Sequence, residues 1–152
     1  MIQRIQSIYL LLAAICSLLS FYVDFASWGN PHAMGINACK VWSADDAATL
    51  GHPWGIMVFT FLSMGIALKA IFSYKNRRAQ MKMTKAVIWL VLFNYIAIGA
   101  YTYTNFTRLS GGTPLDIRPG IAFPLLTAIF AFLAYRGIRR DDELVRSADR
   151  IR

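Results

Sequence analysis

Cysteine and histidine, the side chains that most often hold metals or form covalent links, are scarce in this chain. It has two of each among 152 residues. Cys16 lies in the middle of an apolar run and Cys39 lies in a polar segment, whereas a disulfide needs Cα atoms within about 7 Å of each other. We therefore expect no internal disulfide, which leaves Cys39 available to pair with another chain.

The two histidines, His32 and His52, each adjoin a proline and are expected to lie in turns. Their spacing from Cys39 and from the nearby aspartates matches no zinc-binding pattern. The sequence thus predicts no metal, no cofactor and no catalytic group, and we expect a protein that is not an enzyme. A redox module that uses Cys39 with the histidines remains a third functional hypothesis.

Charged residues make up only 16% of the chain, and none lies at the centre of an apolar run. Proton relays and ion sites inside membranes depend on such residues, so this scarcity disfavours a transporter. Asn94 is a polar residue at the centre of the third run. We expect it to form an intramembrane contact with another helix, a contribution to stability of about 1 kcal/mol.

Apolar sequence is abundant instead, since hydrophobic residues account for 57% of the chain, above the roughly 45–50% of soluble domains. They concentrate in four runs, each near the roughly 20 residues that cross a hydrocarbon core as a helix. Their apolar residues occupy all sides of the helix, which is typical of helices surrounded by lipid or by other helices. The runs cover about residues 7–25, 54–74, 86–103 and 119–135. We predict an all-α fold, a single transmembrane four-helix bundle over residues 1–152.

Basic residues are distributed unevenly around these runs. Twelve of the sixteen lysines and arginines lie before the first run, between the second and third, or after the fourth. The positive-inside rule then places both termini in the cytoplasm, with the longest outer loop between the first two runs. Topology and anionic lipid headgroups account for the net charge of +8, so we expect no nucleic-acid partner.

The first outer loop, residues 26–53, is rich in glycine, proline and asparagine, which favour turns. Ser43 and Asp46 resemble a capping box that opens one short helix. Three indoles in or beside this loop are expected to anchor the protein at the membrane interface. They belong to Trp28, Trp42 and Trp54.

The segment after the fourth run, residues 136–152, is predicted to be a cytoplasmic tail that forms a short amphipathic helix. Charges of both signs surround one apolar face, and Arg139 and Glu143 have the spacing of an i,i+4 ion pair. The helix either lies on the inner membrane face or docks on a partner. The candidate docking residues are Leu144, Val145, Ala148 and Ile151.

The two ends of the chain carry distinctive strings. The first fourteen residues read MIQRIQSIYLLLAA, and the last eleven read DELVRSADRIR. They resemble the two ends of a bacterial family of unknown function, number 4293, found in Bacteroidota, and the four-helix layout between them is also similar. The resemblance implies a bacterial inner membrane and no established activity, so it assigns no catalytic residue.

The leading functional hypothesis is a non-enzymatic accessory or scaffolding subunit of an inner-membrane or envelope assembly. Its expected partners are membrane lipids and either another protein or a second copy of the chain. The alternative is a small-solute or ion transporter that acts as an oligomer. It needs a polar cavity lined by Asn94, Asp24 and Tyr95, although Asp24 could instead pair with Arg118 or Lys40 at the outer surface.

Overall fold

The computed structural model describes residues 2–29, 34–44, 49–74, 76–109 and 114–149. Within these ranges the chain forms four α-helices, one on each apolar run. Neighbouring helices pack against each other around the bundle, and α4 closes it by packing along α1. The helices are α1 (Ile2–Leu19), α2 (Trp54–Phe72), α3 (Arg77–Leu109) and α4 (Ala122–Asp149).

Two of the helices extend well beyond the apolar runs. With 33 residues, α3 is about 50 Å long, whereas a hydrocarbon core is about 30 Å thick. It extends because strong helix formers such as arginine, glutamine and lysine fill its first turns. Likewise α4 continues without a break to Asp149, so the predicted tail helix is its last part. In contrast, α1 ends at Leu19, where the chain turns towards a strand.

Five short strands form an antiparallel sheet at one end of the bundle, so the prediction of an all-α fold was wrong. Four of them come from the long first loop, and the fifth comes from the connection between α3 and α4. Their order across the sheet is β4-β3-β2-β1-β5. They are β1 (Ala26–Trp28), β2 (Met34–Ile36), β3 (Val41–Ser43), β4 (Thr49–Gly51) and β5 (Leu115–Ile117).

The sheet was missed because each strand has only three residues, too few for an alternating pattern to stand out. The pairing of β1 with β5, at one edge of the sheet, also joins distant parts of the chain, since Ala26 lies opposite Ile117. The predicted capping-box helix is absent where the chain can be followed: Ser43 belongs to β3 and Thr49 begins β4. The remainder of that prediction falls on residues 45–48, outside the described residues.

Small and polar side chains face the inside of the bundle, and large apolar ones face outward. On α2, Thr60 and Ser63 are buried, whereas 62% of Phe61 is exposed. On α4, Thr127 is buried and 54% of Phe132 is exposed. Soluble proteins show the opposite distribution. Within the described residues, three helical segments are long and apolar enough to cross a membrane. They are α2, α3 and Pro119–Val145, which is mostly α4.

A separate core of large apolar residues fills the space between the sheet and the bundle. Trp28 is fully buried there, and its ring is perpendicular to that of Phe106 at a centroid distance of 6.4 Å. Trp28 is therefore part of a core rather than an interfacial anchor, because β1 directs it at the bundle. Trp54 is exposed and Trp42 is half-buried. The other buried residues of this core include Phe25, Ile36, Val41, Ile56 and Ile98.

Backbone hydrogen bonds join the sheet to the bundle just beyond the end of α1. The Arg118 N–H donates to the Phe25 carbonyl at 2.9 Å, and the Gly120 N–H donates to the Asp24 carbonyl at 3.1 Å. Gly120 lies so close that a Cβ there would overlap the Asp24 carbonyl group. Glycine is required at this position because no other residue allows the two backbones to approach so closely.

Gly120→Ala should therefore lower the free energy of unfolding by about 1–3 kcal/mol, the usual cost of an overpacked site. Thermal unfolding in detergent micelles would measure the loss. Gly99→Ala is the matched control, because a Cβ at Gly99 in α3 meets nothing within 4 Å. That control should be neutral or slightly stabilising. Equal destabilisation by the two changes would contradict the close approach at Gly120.

Candidate functional site

Hydroxyl groups from three helices meet at the centre of the bundle. The Ser17 hydroxyl oxygen lies 3.3 Å from that of Ser63 and 3.3 Å from that of Thr127. Thr127 also donates to the Phe123 carbonyl of its own helix at 3.0 Å. A buried hydroxyl without a hydrogen-bond partner costs about 1–3 kcal/mol. These contacts therefore give the hydroxyl groups partners that lipid cannot provide. They join α1, α2 and α4.

Asn94, the predicted intramembrane polar contact, lies inside the bundle against α2. Its Nδ2 donates to the Thr60 hydroxyl at 2.9 Å, and that hydroxyl donates to the Ile56 carbonyl at 2.8 Å. Among the described residues the Asn94 Oδ1 has no partner. The contact joins α3 to α2, so this contact and the hydroxyl groups together link all four helices.

A polar contact that the sequence reasoning missed lies at the end of the bundle opposite the sheet. Gln6 donates from Nε2 to Asp141 Oδ2 at 2.8 Å, and Arg77 donates to the Asp141 carbonyl at 3.2 Å. By sequence, Asp141 falls in the predicted cytoplasmic tail, residues 136–152. Helical spacing could have identified it, because it continues the buried stripe of α4. That stripe consists of Thr127, Ala131, Ala134, Ile138 and Asp141.

An outer cavity of about 330 Å³ lies where the sheet meets the end of α1. On its wall the Trp42 indole lies across Gly35, where any Cβ would come within 2.7 Å of the ring. The indole N–H donates to Asp24 Oδ1 at 3.0 Å, and the Asn37 amide donates to the same oxygen at 3.2 Å. Two neutral groups thus hold the Asp24 carboxylate at the cavity.

Arg118 lines the same outer cavity, and its Nε–H donates to the Ser27 hydroxyl at 2.7 Å. The sequence suggested that Asp24 pairs with Arg118 or Lys40. In the structure Asp24 and Arg118 each bond to neutral groups, and neither forms an ion pair with a described residue. The wall therefore carries one negative and one positive group that do not neutralise each other by contact.

Two more cavities, of about 290 and 310 Å³, lie along α3 and are lined mainly by apolar residues. Tyr95 lines both, and its hydroxyl donates to the Ile121 carbonyl at 2.6 Å. The transporter hypothesis required Asn94, Asp24 and Tyr95 to line one polar cavity. The structure separates them: Asn94 lies inside the bundle, Asp24 at the sheet and Tyr95 on an apolar flank.

The residues of the redox hypothesis are only partly described. His52 Nδ1 lies 2.9 Å from the Cys39 carbonyl oxygen, and the Cys39 thiol is free and exposed. His32 and the neighbouring aspartates, Asp45 and Asp46, lie outside the described residues. Within the ranges that the structure covers, no three His, Cys, Asp or Glu side chains are grouped closely enough to hold a metal ion.

Two of the predicted docking residues, Leu144 and Val145, are exposed on the last turns of α4. The exposed fraction is 53% for Leu144 and 44% for Val145. Ala148 belongs to the helix, but its side chain, like all of Ile151, is outside the described part of the chain. Arg139 donates to Glu143 at 2.9 Å, which is the i,i+4 pair expected from the sequence.

An apolar exterior around an interior of small and polar side chains is typical of a helical membrane protein. Here a five-stranded sheet is added at one end. The family model described as Domain of unknown function (DUF4293) matches residues 2–151, so the chain belongs to this family. The family resemblance inferred from the two ends of the chain is thereby confirmed. No curated protein matches the chain.

Asn94→Leu should lower the free energy of unfolding by only about 1 kcal/mol, because Thr60 keeps its bond to the Ile56 carbonyl. Asn94→Asp should cost clearly more, since it buries a carboxylate in the bundle. Unfolding of both variants in micelles would compare them. If the leucine variant is as unstable as the aspartate variant, Asn94 contributes more than one interhelical contact.

Proposed function

We propose that this protein is a non-enzymatic accessory or scaffolding subunit of an assembly in the bacterial inner membrane or envelope. The observation that carries the proposal is the C-terminal end of α4, where Leu144 and Val145 are exposed. The other large apolar side chains exposed on the helices lie mainly within the apolar runs, where lipid can cover them. The origin in Bacteroidota that the chain ends imply is part of the same proposal.

The charge distribution supports an orientation with both termini in the cytoplasm and the sheet outside. The first turns of α3 form the end of the bundle away from the sheet, and they carry Arg77, Arg78, Lys82 and Lys85. The Lys85 ammonium group lies 5.1 Å from the centre of the Tyr135 ring. Aromatic rings are common at both membrane interfaces, whereas a concentration of basic side chains at one end of a bundle is typical of the cytoplasmic interface.

The last turns of α4 are suited to binding a protein because they combine charge with exposed apolar surface. Arg139, Arg140 and Glu143 are exposed there, and charges of this density do not lie in hydrocarbon. The segment therefore lies outside the hydrocarbon core. Leu144 and Val145 are about half exposed there, so each gains roughly half of the about 1.5–3 kcal/mol of full burial when a partner covers it. Their neighbours keep the helix soluble until that happens.

Changing Leu144 and Val145 together to aspartate should abolish recovery of a stoichiometric partner from mild detergent, because the contact is apolar. The four spans are unchanged, so membrane insertion should be normal. Ser147→Asp adds charge to the same turns and leaves the apolar pair intact, so it should retain the partner. Arg139→Gln should also have little effect, because an exposed ion pair contributes at most about 1 kcal/mol.

Recovery of the partner at wild-type levels by the double variant would show that α4 does not dock it. Loss of the partner in the Ser147 variant as well would point to charge rather than apolar contact. Either result would remove the main support for the scaffolding proposal.

The orientation can be tested with the native thiol of Cys39, which is exposed on the sheet. In intact spheroplasts a membrane-impermeant maleimide should label it. In a Cys39→Ser background, a cysteine at Ala79 should react only after the membrane is permeabilised, because α3 begins in the cytoplasm. Labelling of position 79 and protection of Cys39 would reverse the proposed topology.

A further inference from the structure

The outer cavity has two opposite charges that its architecture holds in place without pairing them. Asp24 and Arg118 are both half-buried on its wall. The backbone bonds from Arg118 to Phe25 and from Gly120 to Asp24 fix where each side chain starts. Bonds to neutral sheet residues then fix where each side chain ends.

Each charged group keeps binding capacity that points to a ligand. Both bonds to Asp24 use Oδ1, so its second oxygen accepts from no described residue. Arg118 uses Nε for Ser27, and its terminal nitrogens donate to no described residue. Partly buried charges are costly when they lack a partner of opposite sign. A molecule that carries both charges would satisfy both groups at once.

The chemistry of the wall orients such a molecule. A guanidinium group binds phosphate through several parallel N–H donors, so Arg118 takes the anionic end. A carboxylate binds an ammonium group through charge-assisted hydrogen bonds, so Asp24 takes the cationic end, with Trp42 beside it on the wall. At about 330 Å³ the cavity has room for a group the size of phosphoethanolamine.

The position of the outer cavity indicates where this ligand comes from. Its wall includes Val23, shortly after α1 ends, and Pro119, which opens the 3₁₀ turn before α4. With the helices in a membrane, this is the level of the lipid headgroups. We propose that the outer cavity binds the zwitterionic headgroup of a phospholipid, with the phosphate at Arg118 and the amine at Asp24 and Trp42. The proposal rests on the membrane placement proposed above and not on docking by α4.

The test is a lipid titration of the purified full-length protein in detergent, followed by native mass spectrometry. Phosphatidylethanolamine and phosphatidylglycerol with identical acyl chains share a phosphate, but only the first has an amine. We expect phosphatidylethanolamine to bind about tenfold more tightly, the effect of one charge-assisted contact. Equal affinities for the two lipids would overturn the proposal.

Two variants test which residue binds the amine of the headgroup and which binds its phosphate. Asp24→Asn keeps the oxygen that accepts from Trp42 and Asn37, and it should remove the preference for the amine-bearing lipid. Arg118→Gln should weaken both lipids by about tenfold and leave the preference in place. Arg108→Gln is the matched control, because Arg108 is an exposed cation at the same end of the protein that does not line the outer cavity.

The proposal fails if the Arg108 variant weakens binding as much as the Arg118 variant, or if Asp24→Asn keeps the full preference.

Soluble glycerophosphoethanolamine distinguishes the sources of the headgroup. Displacement of the lipid by millimolar amounts of this compound is the expected result, since the headgroup alone fits the outer cavity. If glycerophosphoethanolamine binds and the intact phospholipid does not, the ligand of the cavity is a soluble compound and not a lipid. Aspartate at Leu144 and Val145 should leave the lipid preference unchanged, which separates this test from that of the docking proposal.

Discussion

The whole structure depends on a distribution of side chains that only an apolar surrounding can stabilise. Serine, threonine, alanine and asparagine fill the inside of the bundle, and leucine, isoleucine and phenylalanine cover the outside. Little apolar area is removed from water between such helices, so the hydrophobic effect cannot hold them together. Close packing and the few buried hydrogen bonds hold them instead, above all those of Ser17, Thr60 and Asn94.

The sheet obeys different rules, because it has its own core of large apolar residues around Trp28. Three-residue strands are too short to be stable alone, and they persist because β1 and β5 are continuous with α1 and α4 on either side. The contact of Gly120 with Asp24 holds these two connections together. The same contact places Asp24 and Arg118 on one cavity wall, so the fold and the proposed lipid site both depend on it.

The helices could be predicted from the sequence because their signal is local, a run of apolar residues of the right length. The sheet could not, since its pairing of Ala26 with Ile117 depends on the closed bundle that brings the two loops together. The outer cavity could not be predicted for the same reason, although the sequence indicated that Asp24 could pair with Arg118. Asp141 was within reach, because a helical stripe leads directly to it. The charged residues on either side of Asp141 favoured an exposed tail instead, so the buried stripe was not extended to it.

The distribution of side chains requires that the outward-facing residues lie in lipid. Spin labels at Phe61, Leu92 and Phe132, one on each of three helices and all exposed, test this directly in reconstituted bilayers. Collisions with oxygen, which concentrates in hydrocarbon, should far exceed collisions with a water-soluble nickel complex. A label at Lys40 on the sheet should show the reverse. If the three helix labels meet the nickel complex as often as the Lys40 label does, the bundle is not embedded in a membrane.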